Sequence, residues 1–297
     1  MSIKLPSSLK SLLSITALLI CSPLSVVAEN CVVRDFLELP LTQSIDPMQT
    51  ALEIAYPGLN LDPTRSLVEF PDGTRLNFRG ARRVTADKRL EHSTLGDQFH
   101  YTYPLGFTLT ERKQLYFDPG RIRWEQFFRS LYFETRNEAR RSLSRVTYTG
   151  TSSQAVFNAT KKYCVHVQLR SVLEEIAAYG PAMDVYFEKS GGSFNWRVIA
   201  GTNRLSTHSF GIAVDLNTQL GKYWRWDGGK PGSVGPFANE IPFEIVSAFE
   251  RRGFIWGGKW YHYDGMHFEY RPELILYSRL MAQNDRRPIV HAIRMTD

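Results

Sequence analysis

The stretch "RLSTHSFGIAVDLN", Arg204 to Asn217, decides how the second half of this chain is read. Ile212, Val214 and Leu216 alternate with Ala213, Asp215 and Asn217, the period of a strand with one face on a core. Asp215 therefore falls in a row that points away from that core. His208 stands seven residues earlier, across Ser209-Phe210-Gly211. A glycine there permits a turn or a close backbone approach that brings the histidine beside the strand. On these residues alone, His208 and Asp215 fit either ordinary polar positions of a half-buried strand or two ligands of one metal.

Short strands and glycine turns continue on both sides of this stretch. "FIWGGKWYHYDGMHFEYRPEL" reads as strand, turn, strand, a helix over about 242–252 precedes it, and a last helix is predicted from about Pro272 to Ala282. Strands and helices alternate irregularly, which favours an antiparallel α+β domain over a doubly wound parallel sheet. Further upstream, "SLVEF" and "RLNFR" flank a Pro-Asp-Gly-Thr turn as a hairpin would, and Asp46-Pro47 opens a short helix through Ala55. Residues 118–143 read as helical after Gly120, with Trp124, Phe127, Phe128, Leu131 and Tyr132 as a packing stripe. "RVTYTG" is a predicted strand. Residues 158–181 are predicted as one helix, with Asn158 as its cap and Gly180-Pro181 as its stop.

The chain has 297 residues, 43% hydrophobic and 22% charged, the balance of an ordinary globular protein. Lys4 and Lys10 precede an apolar run from Leu12 to Ile20, and Val26 and Ala28 are small residues placed for cleavage before Glu29. Residues 1–28 are accordingly expected to be a signal peptide, the run being about half the ~20 residues of a spanning helix; a retained anchor is the alternative. Ile20 before Cys21 is too bulky for a lipidated cysteine. Export to the periplasm or cell envelope follows as an expectation, with no later membrane span. Loss of the leader lowers the formal charge from +6 to +4, which is mildly basic, and no nucleic-acid-binding module is visible. Cys31 and Cys164 remain, either as one disulfide or as two buried thiols. Neither lies in a CxxC pair.

The second chemical piece is "YDGMHFEY", Tyr263 to Tyr270. His267 and Glu269 share one strand face, and Asp264 precedes His267 by three across Gly265. A catalytic zinc takes three protein ligands and keeps a fourth position open for water, and a nearby carboxylate accepts that water's proton. His208, Asp215 and His267 are the candidate ligands and Asp264 the candidate base. A helical HExxH site is excluded: His262 and His267 are five apart and Gly265 opposes a helix. His262 reads as a partly exposed strand residue, and Glu269 as a partner of a ligand, of an arginine, or as a rival base.

These residues carry a resemblance. "RLSTHSFGIAVDLN" is similar to the SxHxxGxAxD motif of the zinc D-alanyl-D-alanine carboxypeptidases and dipeptidases of the vancomycin-resistance type, and of related endolysins that cut between L-alanine and D-glutamate. "DGMHFEY" resembles their second motif, and "GFIWGGKW" resembles the carboxypeptidase branch. The resemblance implies the α+β fold shared with hedgehog signalling domains, an antiparallel sheet with flanking helices. It implies one zinc ion per chain on His208, Asp215 and His267, with Asp264 as general base. It also implies an upstream arginine acting on the substrate carbonyl, for which Arg197 is the first choice and Arg204 the second. Ser206 and Arg204 are candidate substrate contacts, with a turn-forming role the alternative for Ser206; Trp256 and Trp260 are either cleft walls, Trp256 then touching substrate, or core packing, which is the simpler reading. The implied substrate is a peptidoglycan stem peptide, cut as a D-alanyl-D-alanine carboxypeptidase. An endopeptidase and a zinc-containing wall-binding module without turnover are the rivals. The expected organisation is a catalytic domain over 145–297 and an accessory region over 29–144, to which the resemblance assigns nothing. The oligomeric state is not legible.

Overall fold

A computed structural model describes residues 31–226 and 228–285, together with Met1. Apart from Met1, the leader expected over residues 1–28 lies outside the described residues. No described helix is long and apolar enough to cross a membrane.

Helix α1 (Pro47–Ala55) starts where Asp46-Pro47 predicts, the Asp46 carboxylate accepting from the Gln49 N–H at 3.0 Å. A meander follows of β1 (Asn60–Asp62), β2 (Leu67–Glu69) and β3 (Arg75–Asn77), the last two joined by the predicted turn, in which Phe70 N–H reaches Thr74 O. Helix α2 (Ala86–Glu91) precedes a long irregular segment.

The helix predicted after Gly120 is broken. Arg121 to Trp124 are extended or in turns, α3 (Glu125–Leu131) is short, and α4 (Arg136–Ser142) begins anew at a capping box built by Thr135 and Glu138. That cap is the local reason for the break. Strands β4 (Leu143–Thr149) and β5 (Gln154–Thr160) form an antiparallel hairpin. Asn158 is therefore not a helix cap: it lies in β5 opposite Arg145, and α5 (Val165–Ala178) starts seven residues later. Ala155, Phe157 and Ala159 alternate into the core, a period of two that overrides the helical reading. The predicted stop holds, with Gly180 in the left-handed region just after α5.

The remaining elements surround the site. Strands β6 (Ser190–Gly192), β7 (Ala213–Asn217), β8 (Phe254–Trp256) and β9 (His267–Tyr270) form one antiparallel sheet in the order β6-β7-β9-β8. Helices α6 (Phe243–Arg251) and α7 (Pro272–Asp285) flank β8 and β9 in sequence. The result is an α+β fold with small antiparallel sheets, as expected. One continuous apolar core runs from Phe36 through Phe127, Leu169 and Phe268 to Leu280. Buried polar links cross it: Tyr56 donates to Glu273 at 2.6 Å, and Tyr103 donates to Glu250 at 2.5 Å. Cys31 and Cys164 form a disulfide with their Cα atoms 5.4 Å apart.

Candidate metal centre and cleft

Asp215 and His267 are direct partners across the β7–β9 pairing, so two of the candidate ligands face each other on one side of the sheet. His208 arrives from a single 3₁₀ turn, Thr207–Phe210, which ends at Gly211 with φ +69°. A Cβ on Gly211 would stand 2.8 Å from Leu143 Cδ2 and 3.2 Å from Thr160 N, so both the conformation and the space require glycine.

The three side chains converge. His208 Nε2 lies 3.2 Å from His267 Nδ1, Asp215 Oδ1 lies 2.9 Å from His267 Nδ1, and Asp215 Oδ2 lies 3.3 Å from His208 Nε2. Ligand atoms about 2.0–2.1 Å from a tetrahedral zinc are separated by about 3.3–3.4 Å, so this donor set matches a zinc site closely. The outward nitrogens agree. His208 Nδ1 meets the Ser193 carbonyl at 2.5 Å, and His267 Nε2 meets Glu269 Oε2 at 3.0 Å. Each acceptor takes that ring's N–H and leaves the inward nitrogen's lone pair for a metal. Among the described residues, this is the group of His, Cys, Asp and Glu whose ligand atoms gather within 4.8 Å.

Glu269 is thus a partner of a ligand and of arginines, and not a rival base. Fully buried, it also accepts from Thr207 Oγ1 at 2.9 Å, Arg123 Nη1 at 3.0 Å and Arg271 Nη1 at 3.2 Å. Burial pushes its carboxyl up, but Arg123, His267 and Arg271 outweigh this and hold it well below the usual range. Asp215 is likewise held far down: burial opposes, and His208 and His267 prevail. His267 is pushed up to about 10; burial lowers it, and its bonds to Asp215 and Glu269 overcome that.

Asp264 lines the same cleft, and its Oδ1 is buried with no hydrogen-bond partner among the described residues. Burial raises its carboxyl to about 6; Asp215 adds to the rise, while His267, Arg121 and His208 oppose it. An unpaired, proton-hungry carboxylate beside a metal-ligand cluster suits a group that exchanges a proton with a third party.

The cleft, about 310 Å³, is further lined by Arg121, Arg123, Arg197, Arg204, Ser206 and Trp260. Arg197, Arg204 and Ser206 are thus brought together with the candidate ligands. Trp256 is not. It is fully buried, donates its indole N–H to Gly265 O at 2.8 Å and stacks between Phe107 and Phe268. The tight turn at Gly257–Lys259 redirects the chain, so Trp260 forms the wall instead. His262 is no ligand and is not partly exposed. It is buried, its Nδ1 paired with Asp118 Oδ2 at 2.7 Å and its Nε2 accepting from Gly232 N–H at 3.0 Å.

Arg121 and Arg123 are functional candidates that the sequence motifs do not contain. "RIRW" alternates, and the structure buries Ile122 while both arginines meet the cleft. That alternation is the one local signal of a shared face. The exposed Trp226 and its neighbour Tyr223 complete the rim.

Residues 200–270 match the family model described as D-alanyl-D-alanine carboxypeptidase, a span that holds all three candidate ligands and Asp264. No curated protein and no solved structure matches the chain. Over that segment the chain is similar to the D-alanyl-D-alanine carboxypeptidase family of zinc peptidases.

Proposed function

We propose that this protein is a zinc peptidase of peptidoglycan stem peptides that removes the terminal D-alanine as a carboxypeptidase. The observation that carries the reading is the triad of His208 Nε2, Asp215 and His267 Nδ1 with the unpartnered Asp264 carboxylate in the same cleft. His208, Asp215 and His267 would hold one zinc ion, which lowers the pKa of water and polarises a carbonyl. Asp264 takes the proton of the attacking water and returns it to the departing amine; its raised proton affinity suits both transfers. Arg197, on the exposed side of the cleft, orients and polarises the scissile carbonyl. Ser206 contacts the substrate backbone. Glu269 and Ser193 hold the two imidazoles in the ligating tautomers.

The reading brings with it the α+β fold of these peptidases and of hedgehog domains for residues 145–297. It also implies export to the periplasm or cell envelope, where the substrate lies. Residues 29–144 serve as an accessory region whose Arg121 and Arg123 reach the cleft.

Asp264→Ala tests it. The variant is expected to bind zinc at wild-type stoichiometry while its hydrolysis of a D-alanyl-D-alanine peptide falls by about 10²–10⁴-fold. Unchanged turnover removes Asp264 from the chemistry. Zinc-loaded wild type that cuts no stem peptide supports the wall-binding alternative.

A further inference from the structure

The positive charge of the cleft exceeds what the peptidase reading uses. Four arginines line it. Arg123 is committed to Glu269 at 3.0 Å, and Arg197 is assigned to the carbonyl. Arg121 and Arg204 make no ion pair with any described carboxylate. Arg121 lays its guanidinium over the Trp260 indole, 5.3 Å from the ring centre, and donates Nη1 to His262 O at 3.2 Å. Arg204 donates Nη1 to Arg121 O at 3.3 Å, and its Nε is buried with no partner.

The nearest acid on the Arg204 side is already occupied. Glu125 Oε1 accepts from Arg129 Nε at 2.8 Å, and its Oε2 accepts from Leu205 N–H at 2.8 Å. Burial, then Arg123 and Arg121, lowers the Arg204 guanidinium to about 10, with only partial relief from Glu125 and Glu91. Two neighbouring guanidinium groups, partly desolvated and with carboxylates near but none in a described ion pair with them, gain from an anion that joins them. Their planar forks match a carboxylate.

Position selects which carboxylate. The Trp260 ring under Arg121 has its centre 5.6 Å from that of the His267 ring, so Arg121 lies one ring beyond a metal ligand. A peptide unit moves the chain about 3.8 Å between α-carbons. A carboxylate about one residue away from a carbonyl at the candidate metal centre therefore falls within reach of this wall.

We propose that Arg121 and Arg204 form one carboxylate subsite that reads a free carboxylate on the α-carbon of the residue whose amine departs. The subsite rests on the peptidase reading and sharpens its substrate class. A C-terminal D-alanine carries such a carboxylate, and so does a D-glutamate linked through its side chain. The first source belongs to a carboxypeptidase and the second to an endopeptidase. Arg204 lies inside the segment that matches the peptidase family and Arg121 outside it, so the chain upstream of that segment supplies one of the two arginines.

The test uses two substrate pairs with the zinc-loaded full chain. One is acetyl-L-Lys-D-Ala-D-Ala and its C-terminal amide. The other is L-Ala-γ-D-Glu-L-Lys and the same peptide with the D-glutamate α-carboxylate amidated. For whichever peptide is cut, the wild type is expected to prefer the acid over the amide by about 100-fold in kcat/KM, the scale of charge-assisted hydrogen bonds. In Arg121→Gln and Arg204→Gln that ratio falls below about tenfold, with zinc stoichiometry and melting temperature confirming the fold. A wild-type ratio near one overturns the subsite, as does an unchanged ratio in both variants. If neither peptide is cut, the peptidase reading fails and binding decides the subsite. Calorimetry with acetyl-D-Ala and its amide then shows acid-selective binding lost in the variants, or equal binding of both, which overturns it.

Discussion

Replacing Glu269 by Gln perturbs the candidate metal centre without touching a candidate ligand. The carboxylate has no exposed surface and accepts four hydrogen bonds, from His267, Thr207, Arg123 and Arg271. Gln keeps the volume and one acceptor but removes the charge. Two consequences separate. The His267 Nε2–H loses an anionic partner, which weakens the Nδ1 donor, and loss of such a partner costs about 10–100-fold in metal affinity, or about 1.4–2.7 kcal/mol. Arg123 and Arg271 also lose their shared counter-ion. Arg271 retains Glu273, whereas Arg123 has no other described ion pair. Breaking a buried pair on one side costs about 3–5 kcal/mol, and the amide's remaining acceptor places the expectation near the lower end. Zinc affinity is read by competition with a chromophoric chelator, and stability by denaturant unfolding of the metal-free protein. Unfolding free energy reduced by about 3 kcal/mol together with weaker zinc binding is the expected pair. Zinc affinity within twofold of wild type, in a folded variant, refutes the assignment of Glu269 as the group that orients His267.

Other outcomes follow from the same geometry. In the metal-free protein His267 holds its proton up to about pH 10, and zinc needs the Nδ1 lone pair. Binding between pH 7 and 9 should therefore release one proton and strengthen about tenfold per pH unit; a flat profile contradicts this. Gly211→Ala forces a side chain into a left-handed position and against Leu143, and should lower stability by about 2 kcal/mol and weaken zinc binding as the His208 turn shifts. Cys31 and Cys164 close a loop of 133 residues, so replacing both with Ser should lower the unfolding free energy by about 2–5 kcal/mol, measured against wild type under oxidising conditions.

The candidate metal ligands were legible because each motif has a local pattern, while the 52 residues between Asp215 and His267 were bridged by the resemblance. Alternation places Asp215 on the face opposite the core, the same alternation puts His267 beside Glu269, and Gly211 marks the turn that returns His208 to the strand. What failed depends on distant chain. The start of α5 was misplaced because residues 154–160 take their conformation from β4 and from the Thr160 N–H bond to Gly211 O, neither visible in a local window. Between cleft wall and core packing, Trp256 takes the core, and the Phe107 that stacks on it from 149 positions upstream is announced by nothing nearby. Arg121 and Arg123 escaped for the same reason: 87 and 85 positions separate them from His208, and only the fold brings them to one cleft. His262 lost its candidacy to Asp118, another long-range partner.

The central claim is that the His208, Asp215 and His267 cluster holds a zinc ion used to hydrolyse stem peptides at their terminal D-alanine. Mass spectrometry of a pentapeptide stem ending in D-Ala-D-Ala, incubated with the zinc-loaded protein with and without a chelator, tests it most directly. The account predicts loss of a single alanine with zinc, none after chelation, and recovery when zinc is restored. An intact peptide beside stoichiometrically zinc-loaded protein, or cleavage that persists in the chelator, contradicts it.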